Sequence, residues 1–262
     1  MLTMREILLY FSVKYEGDWE KIKDALARKE LVSEEEGKKI LSTIKCKTLT
    51  FIDSNYPDCI KQAYRPPFVL FYEGNIDLLL SRKKLGVVGS RNNSTYGEES
   101  INKIIDSIAL KDKNITIVSG MAKGIDSIAE RCAMKNNMKI ISILGCGIDI
   151  CYPLSSKDIY DYSKSKNGLL LSELPFGINP IGTNFPMRNR ILSAIIDTLL
   201  IVEAKQKSGT SITARLSLED NKDILCIPRN IDDNYKLTNF LIKEGAESCL
   251  GAEDVLQAMN RF

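Results

Sequence analysis

The 262-residue chain contains no histidine, and this absence removes most of the common catalytic chemistry. Without an imidazole there is no Ser-His-Asp triad, no Cys-His pair, no histidine general base and no zinc site with histidine ligands. Seven cysteines are present, but their number is odd and no C-x-x-C pair occurs. We therefore expect no metal centre, no disulfide framework and no cofactor, and we expect a reduced, cytoplasmic protein.

Long apolar runs are also missing, since no stretch reaches the roughly 20 residues that a membrane-spanning helix needs. The apolar run near the N-terminus is interrupted by charge too soon for a signal peptide. An excess of charge is lacking as well, because 36 Lys and Arg residues against 34 Asp and Glu residues give a net charge of only +2. Any nucleic-acid-binding surface must therefore be a local one.

The first 50 residues predict a small helical domain. Thr3 and Ser33 each stand three residues before a glutamate, which is the spacing of a capping box, and Asp18 precedes an amphipathic run from Trp19 to Leu26. Prolines between residues 57 and 67 then interrupt any helix. We place a domain boundary at residue 50, so that residues 51–262 form a second, larger domain.

In the larger domain, short apolar runs alternate with helical periods. The runs are Val69–Tyr72, Leu85–Val88, Ile115–Val118, Ile140–Leu144, Leu169–Leu171, Leu199–Val202 and Ile224–Ile227. Between them, isoleucines at 101, 104, 105 and 108 lie on one face of a predicted helix. Runs that are apolar throughout are typical of strands buried on both faces, and their alternation with helices predicts a parallel α/β sheet.

Small and charged residues follow several of the predicted strands, where the ligand sites of parallel sheets lie. They are Gly89, Ser90 and Arg91, then Ser119, Gly120, Lys123, Gly124 and Asp126, then Gly145 and Gly147, then Glu173, and last Glu203. Glycines let a ligand approach the backbone, and helix N-termini offer unpaired N–H groups to an anion. The pattern favours a phosphate site, although glycines at such turns also serve close packing alone.

Two further segments carry candidate contacts. The segment Asn184–Arg190 combines an aromatic ring with two guanidinium groups, which suit base stacking and phosphate binding; the alternative is a helix start with solvated arginines. Ser208, Gly209 and Thr210 open another helix, where their hydroxyls can hold a phosphate or cap the helix. No Walker A loop occurs, and Gly145-Cys146-Gly147 lacks the third glycine of a dinucleotide fingerprint, which disfavours ATPases and dehydrogenases.

The succession of these motifs resembles the DNA-processing protein A family (DprA, also called Smf). The most specific elements are those from Ser119 to Asp126 and from Phe185 to Arg190. Gly89-Ser90-Arg91, Tyr152-Pro153, Val202-Glu203-Ala204 and the segment 208–213 occur in the matching order, and the resemblance spans residues 55–250.

The resemblance implies an extended Rossmann-like, mostly parallel sheet with flanking helices, preceded by a small domain similar to a sterile alpha motif. It implies a non-catalytic protein that binds single-stranded DNA, protects incoming strands, forms a homodimer and loads the recombinase RecA during natural transformation. The implied contacts to DNA phosphates come from Gly89, Ser90, Arg91, Ser119, Gly120, Lys123, Gly124, Gly145, Gly147, Phe185, Arg188, Asn189, Arg190, Ser208, Gly209 and Thr210. Asp126, Glu173 and Glu203 are expected to support them.

The chain departs from the family pattern at three positions. Glu130 stands where members usually have histidine, Arg229 follows Pro228 where glycine is usual, and Leu237 replaces a later glycine. The sequence ends at Phe262 without the winged-helix domain of many members, so we expect none of the duplex binding that this domain supplies elsewhere.

Two alternative functions share the predicted phosphate site. One is a nucleotide enzyme similar to the phosphoribohydrolases of the lysine-decarboxylase-like family, with Glu173 or Glu203 as acid or base; however, Thr213 stands where that family has its carboxylate. The other is a sensor that binds a mononucleotide. For the homodimer, the apolar residues Phe240, Leu241 and Ile242 are the predicted interface, unless they belong to the core.

Overall fold

The computed structural model describes residues 2–261. The helices are α1 (Met4–Lys14), α2 (Trp19–Ala27), α3 (Glu34–Leu41), α4 (Asp58–Lys61), α5 (Thr95–Lys111), α6 (Ile125–Lys135), α7 (Lys157–Ser163), α8 (Asn184–Ile195), α9 (Gly209–Glu219), α10 (Leu237–Lys243) and α11 (Ala252–Met259). The strands are β1 (Lys47–Thr50), β2 (Val69–Gly74), β3 (Lys84–Val88), β4 (Thr116–Ser119), β5 (Lys139–Ile143), β6 (Gly168–Ser172), β7 (Thr198–Ile201), β8 (Asp223–Cys226) and β9 (Glu247–Ser248).

Within residues 2–261 the strands form one sheet in the order β1-β2-β6-β5-β4-β3-β7-β8-β9. All pairs from β6 to β9 are parallel, whereas β1 with β2 and β2 with β6 are antiparallel. Each predicted apolar run overlaps one strand from β2 to β8, which confirms the mostly parallel α/β fold. The sheet begins at Lys47, so its first strand lies on the helical side of the boundary that we expected at residue 50.

Helices cover both faces of the sheet, which explains why the parallel strands are apolar throughout. One buried cluster joins the strands to α5, α6, α7 and α11, and its members include the predicted stripe of isoleucines on α5. The second cluster joins the opposite face to α4, α8 and α9. Among residues 2–261, no helix is both long and apolar enough to cross a membrane.

The N-terminal helices have a small core of their own around Tyr10, Phe11 and Ile22. Thr3 forms the predicted capping box with Glu6, while the Asp18 side chain accepts a hydrogen bond from the Lys21 amide. Leu8 and Leu9 of α1 belong to the buried cluster of the sheet, and the Trp19 ring stacks on Phe68 with 5.6 Å between ring centroids, so both contacts attach the helices to the larger domain.

The strand order reverses direction at β3. From β3 the chain builds outward through β4, β5 and β6, and then returns to the other side of β3 to lay down β7, β8 and β9. The connections that leave β3 and β7 therefore diverge and leave a crevice at the carboxyl ends of these two strands. Such a crevice is the usual ligand site of an open parallel sheet.

Candidate nucleic-acid interface

A cleft of about 530 Å³ lies at this reversal point. It is lined by Val88, Gly89, Ser90, Arg91, Asn92, Ala122, Asp126, Gly182, Phe185, Pro186, Arg188, Asn189, Leu192, Ala204, Lys205, Lys207, Ser208, Gly209, Thr210, Ile212, Thr213 and Tyr235. The cleft thus brings together three segments that the sequence analysis selected separately, those around residues 89–91, 185–189 and 208–210. We refer to it below as the groove.

The first wall is the loop that follows β3. The Ser90 hydroxyl donates to the Asn92 carbonyl at 3.0 Å and accepts from the Asn92 amide at 3.1 Å, which closes a tight turn. This turn leaves Arg91 exposed, with its guanidinium carbon 5.2 Å from the centroid of the Phe185 ring. The Arg91 guanidinium therefore lies over the Phe185 ring at the rim, and cations and aromatic rings occur together in sites that bind single-stranded nucleic acid.

The second wall is the beginning of α8, where Arg188 lies beneath the groove rather than in solvent. Its side chain is 6% exposed, its Nη1 donates to the Ile143 carbonyl, and its Nε donates to Asn189 Oδ1 at 3.1 Å. Gly120 makes this position possible, because a Cβ there would lie 2.0 Å from Arg188 Nη1. Arg188 thus contributes positive charge from below the floor of the groove.

Two buried acids lie near Arg188. Burial raises the pKa of Asp126, and the positive charge of Arg188 opposes that shift. Burial also raises the pKa of Glu130 to about 8, against a hydrogen bond from the Ser142 hydroxyl, and the charge of Asp126 adds to the increase. Glu130 Oε2 has no hydrogen-bond partner among residues 2–261, which suits a protonated carboxyl at neutral pH.

The third wall is the N-terminus of α9. The Ser208 hydroxyl donates to the Lys205 carbonyl at 2.7 Å and does not cap the helix, so the predicted capping role of this side chain is wrong. Thr210 Oγ1 donates across the groove to the Gly89 carbonyl at 3.2 Å. The first turn of α9 therefore turns uncapped N–H groups toward the groove, beside exposed Lys205 and Lys207, and this arrangement suits an anion.

Arg190, predicted to contact phosphate, lies elsewhere. Its side chain is 2% exposed, and its Nη2 donates to both carboxylate oxygens of Glu173 at 2.5 and 2.6 Å. Both residues line a separate cleft of about 390 Å³ between the N-terminal helices and α8. The buried ion pair makes Arg190 a structural anchor for α8, which corrects its predicted role.

Several predicted contacts prove to be packing positions outside the groove. Ser119 is fully buried and donates its hydroxyl to the Val87 carbonyl at 2.6 Å. An added Cβ would lie 2.2 Å from the Ser90 carbonyl oxygen at Gly124, 2.8 Å from the Phe185 ring at Gly145 and 2.6 Å from the Pro175 carbonyl oxygen at Gly147. These glycines let neighbouring segments approach each other, while Lys123 is exposed but does not line the groove.

The candidate site residues did not include five polar residues that line the groove: Asn92, Lys205, Lys207, Thr213 and Tyr235. The two lysines follow β7, so the same strand-end criterion that selected Arg91 identifies them. Tyr235 gave no signal, because it comes from the irregular segment between β8 and α10.

The three departures from the family pattern are accommodated in the interior. Glu130 and Arg229 are buried side chains, and the Leu237 amide donates to the Ala204 carbonyl at 3.1 Å at the start of α10. None of the three lines the groove.

Comparison with known proteins gives relatives with one consistent description. The chain is 38% identical over 210 residues to DNA processing protein DprA of Streptococcus pneumoniae, which covers 80% of this chain and 73% of the relative. It is 34% identical over 213 residues to the Bacillus subtilis protein of the same name, with 81% and 71% covered.

Solved structures agree with this sequence similarity. The structure of DNA processing protein A from S. pneumoniae matches with a TM-score of 0.78 and 32% identity, over 98% of this chain and 93% of that one. DNA processing protein A from Helicobacter pylori, which binds single-stranded DNA, matches with a TM-score of 0.74 and 26% identity, over 84% and 99%.

A sequence model of one family covers nearly the whole α/β domain. It describes the DNA recombination-mediator protein A and matches residues 47–260. The match begins at the residue where β1 begins and includes all three walls of the groove. The chain belongs to the DNA recombination-mediator protein A family.

Proposed function

We propose that this protein binds single-stranded DNA in the groove between β3 and β7. The observation that carries the proposal is that several groups able to bind phosphate line one groove. They are Arg91, the uncapped N-terminus of α9, and Lys205 and Lys207 just before that helix, and the Phe185 ring lies at the rim. Cations and helix N–H groups match the phosphates of the backbone, and an aromatic ring stacks on any base. Binding is therefore independent of sequence.

The proposed function is non-catalytic. The two carboxylates that a nucleotide enzyme could use as acid or base are both committed to arginines, Glu173 to Arg190 and Glu203 to Arg229. Both Glu173 and Glu203 also lie outside the lining of the groove. These contacts support a role for the carboxylates in holding the structure together rather than in chemistry.

We further propose that the bound strand is protected, that a homodimer presents it in the cytoplasm, and that the recombinase RecA is loaded onto it during natural transformation. The family membership supports this role. In the predicted interface, Leu241 and Ile242 pack against the core on one sheet face, whereas Phe240 is 46% exposed and offers apolar surface to a second copy.

The test is fluorescence anisotropy of labelled oligonucleotides of several lengths, single- and double-stranded, at several salt concentrations. The proposal expects preference for single strands, affinity that rises with length and a steep loss of affinity with salt. Affinity for a mononucleotide equal to that for a long strand would contradict it and favour the nucleotide enzyme or sensor. Hydrolysis of the bound nucleotide then separates those two alternatives.

A further inference from the structure

Glu203 is a fully buried carboxylate just behind the groove, at the end of β7. Its Oε1 accepts a hydrogen bond from the Ser94 amide at 2.7 Å, and its Oε2 accepts one from the Ser94 hydroxyl at 2.6 Å. Gly97 makes room for the carboxylate, since a Cβ there would lie 2.5 Å from Glu203 Cδ. The carboxylate therefore holds the far end of the loop that carries Arg91.

Arg229 neutralises this carboxylate. Its side chain is only 4% exposed, and its Nη1 lies 2.9 Å from Glu203 Oε2. Its Nε donates to Asp233 Oδ2 at 2.9 Å, and both terminal nitrogens donate to the Ser94 hydroxyl at 3.2 Å. One guanidinium thus joins the end of β7, the loop after β3 and the segment after β8.

Aromatic rings and a second link complete the cluster. The Arg229 guanidinium carbon lies 4.6 Å from the Tyr96 ring centroid and 5.2 Å from the Tyr235 ring centroid. Tyr235, which lines the groove, donates its hydroxyl to the Asn92 carbonyl. The loop after β3 is therefore held at two residues close to Arg91, namely Asn92 and Ser94.

We infer that Arg229 is a positioning residue of the groove: it fixes the loop of Arg91 through Glu203 and Tyr235 without touching the strand. This inference rests on the proposed function. The guanidinium makes its contacts within the protein and is nearly excluded from solvent, so it adds little to the charge that phosphates meet. What it supplies is a positive charge beside the buried Glu203 carboxylate, which would otherwise lie behind the groove as an uncompensated negative charge.

The contacts that residue 229 makes in this chain require the shape of arginine. The planar fork contacts two carboxylates and a hydroxyl while its faces rest near two rings, whereas the ammonium of lysine is a compact point charge. Arg229→Lys should therefore keep only part of the affinity for single strands that Arg229 supports. Arg229→Met should lose all of that contribution, because the methionine side chain has neither charge nor donors.

The experiment compares Arg229→Met, Arg229→Lys, Glu203→Gln and the double variant Arg229→Met/Glu203→Gln in single-strand binding at several salt concentrations. Arg215→Met is the matched control, since Arg215 is exposed and pairs with Glu219 one helical turn away. We expect Arg229→Met to lose on the order of tenfold in affinity with an unchanged salt slope, because no phosphate contact is removed. The double variant should regain most of the loss, since it no longer buries an unpaired charge.

Hydrogen exchange at the Ser94 amide supplies a readout that needs no DNA, and it should become faster in Arg229→Met but not in the control. An unchanged affinity and exchange rate in folded Arg229→Met would overturn the inference while the proposed function stands. Additive effects of Arg229→Met and Glu203→Gln would also overturn it. If the wild-type protein binds no single strand, the proposed function fails, and unchanged exchange at Ser94 in Arg229→Met would separately refute the support by Arg229.

Discussion

At the scale of single residues, the arginines around α8 show how burial decides the role of a charge. Arg91 is exposed at the rim of the groove, Arg188 lies under its floor against Ile143, and Arg190 is sealed against Glu173 in another cleft. Only an exposed cation can exchange its counterions for phosphates. The salt dependence of binding should therefore depend on Arg91 and the lysines near α9.

The variant Arg91→Ala should weaken binding to all sequences alike and lower the salt slope by about one unit, since one phosphate contact is lost. Anisotropy titrations over a range of salt concentrations measure the slope. Lys113→Ala removes an exposed cation just before β4, at the amino ends of the strands and away from the groove. This variant should change neither the affinity nor the salt slope. Equal slopes for Arg91→Ala and the wild type would remove Arg91 from the interface.

The raised pKa of Glu130 predicts that the free energy of unfolding decreases as the pH rises. The pKa of this carboxyl is about 8 in the folded protein against an ordinary 4.5, so between these values the folded protein keeps a proton that the unfolded chain has released. The free energy of unfolding should then fall with pH by up to about 1.4 kcal/mol per unit across that window. Glu130→Gln, which does not ionise, should remove the decline.

Urea unfolding at pH 5 and pH 8 tests this expectation. The Gln variant should match the wild type near pH 5 and exceed it at pH 8. Glu99→Gln, at an exposed position of α5, serves as the control and should follow the wild type at both pH values. A gap between Glu130→Gln and the wild type that does not widen with pH would show that Glu130 is ionised in the fold.

At the scale of elements, adding a negatively charged cap to the uncapped N-terminus of α9 should raise the stability of the helix and lower the affinity for single strands. Ser208→Asp should cap the helix and stabilise the protein by about 1 kcal/mol, because a carboxylate accepts the first-turn N–H groups. The same carboxylate should weaken single-strand binding by roughly tenfold, since it fills the position of a phosphate.

Ser208→Asn is the matched variant, because asparagine caps equally well without a charge. It should stabilise α9 while costing clearly less affinity than aspartate. Thermal unfolding and anisotropy on the same preparations give both quantities. If the Asp and Asn variants bind the strand equally, the helix N-terminus does not receive a phosphate.

The elements also show where sequence reasoning succeeds and where it ends. The strands from β2 to β8 were predictable because burial on both faces makes them apolar throughout. β1 was missed because its four residues include Lys47 and two threonines, and only its antiparallel partner β2 makes it a strand. The groove followed from strand ends, but Arg190 was misassigned because its partner Glu173 is close only in the fold.

At the scale of the whole molecule, Phe240 is the part of the predicted dimer interface that the fold leaves open. Phe240→Asp should convert a dimer to a monomer without unfolding it, because a carboxylate is costly to bury in an apolar contact. Size-exclusion chromatography with light scattering measures the mass. Leu110→Asp, at an exposed position on α5, is the control and should stay dimeric. A dimeric Phe240→Asp would place the interface elsewhere.

The reversal of the strand order at β3 also determines the order in which strands can pair while the chain is being synthesised. Strands β3 to β6 can pair as they leave the ribosome, but one edge of β3 stays open until β7 arrives, since Leu85 pairs with Thr198. The third wall of the groove appears later still, with α9. A growing chain can therefore form one side of the sheet before the residues that line the groove are all present.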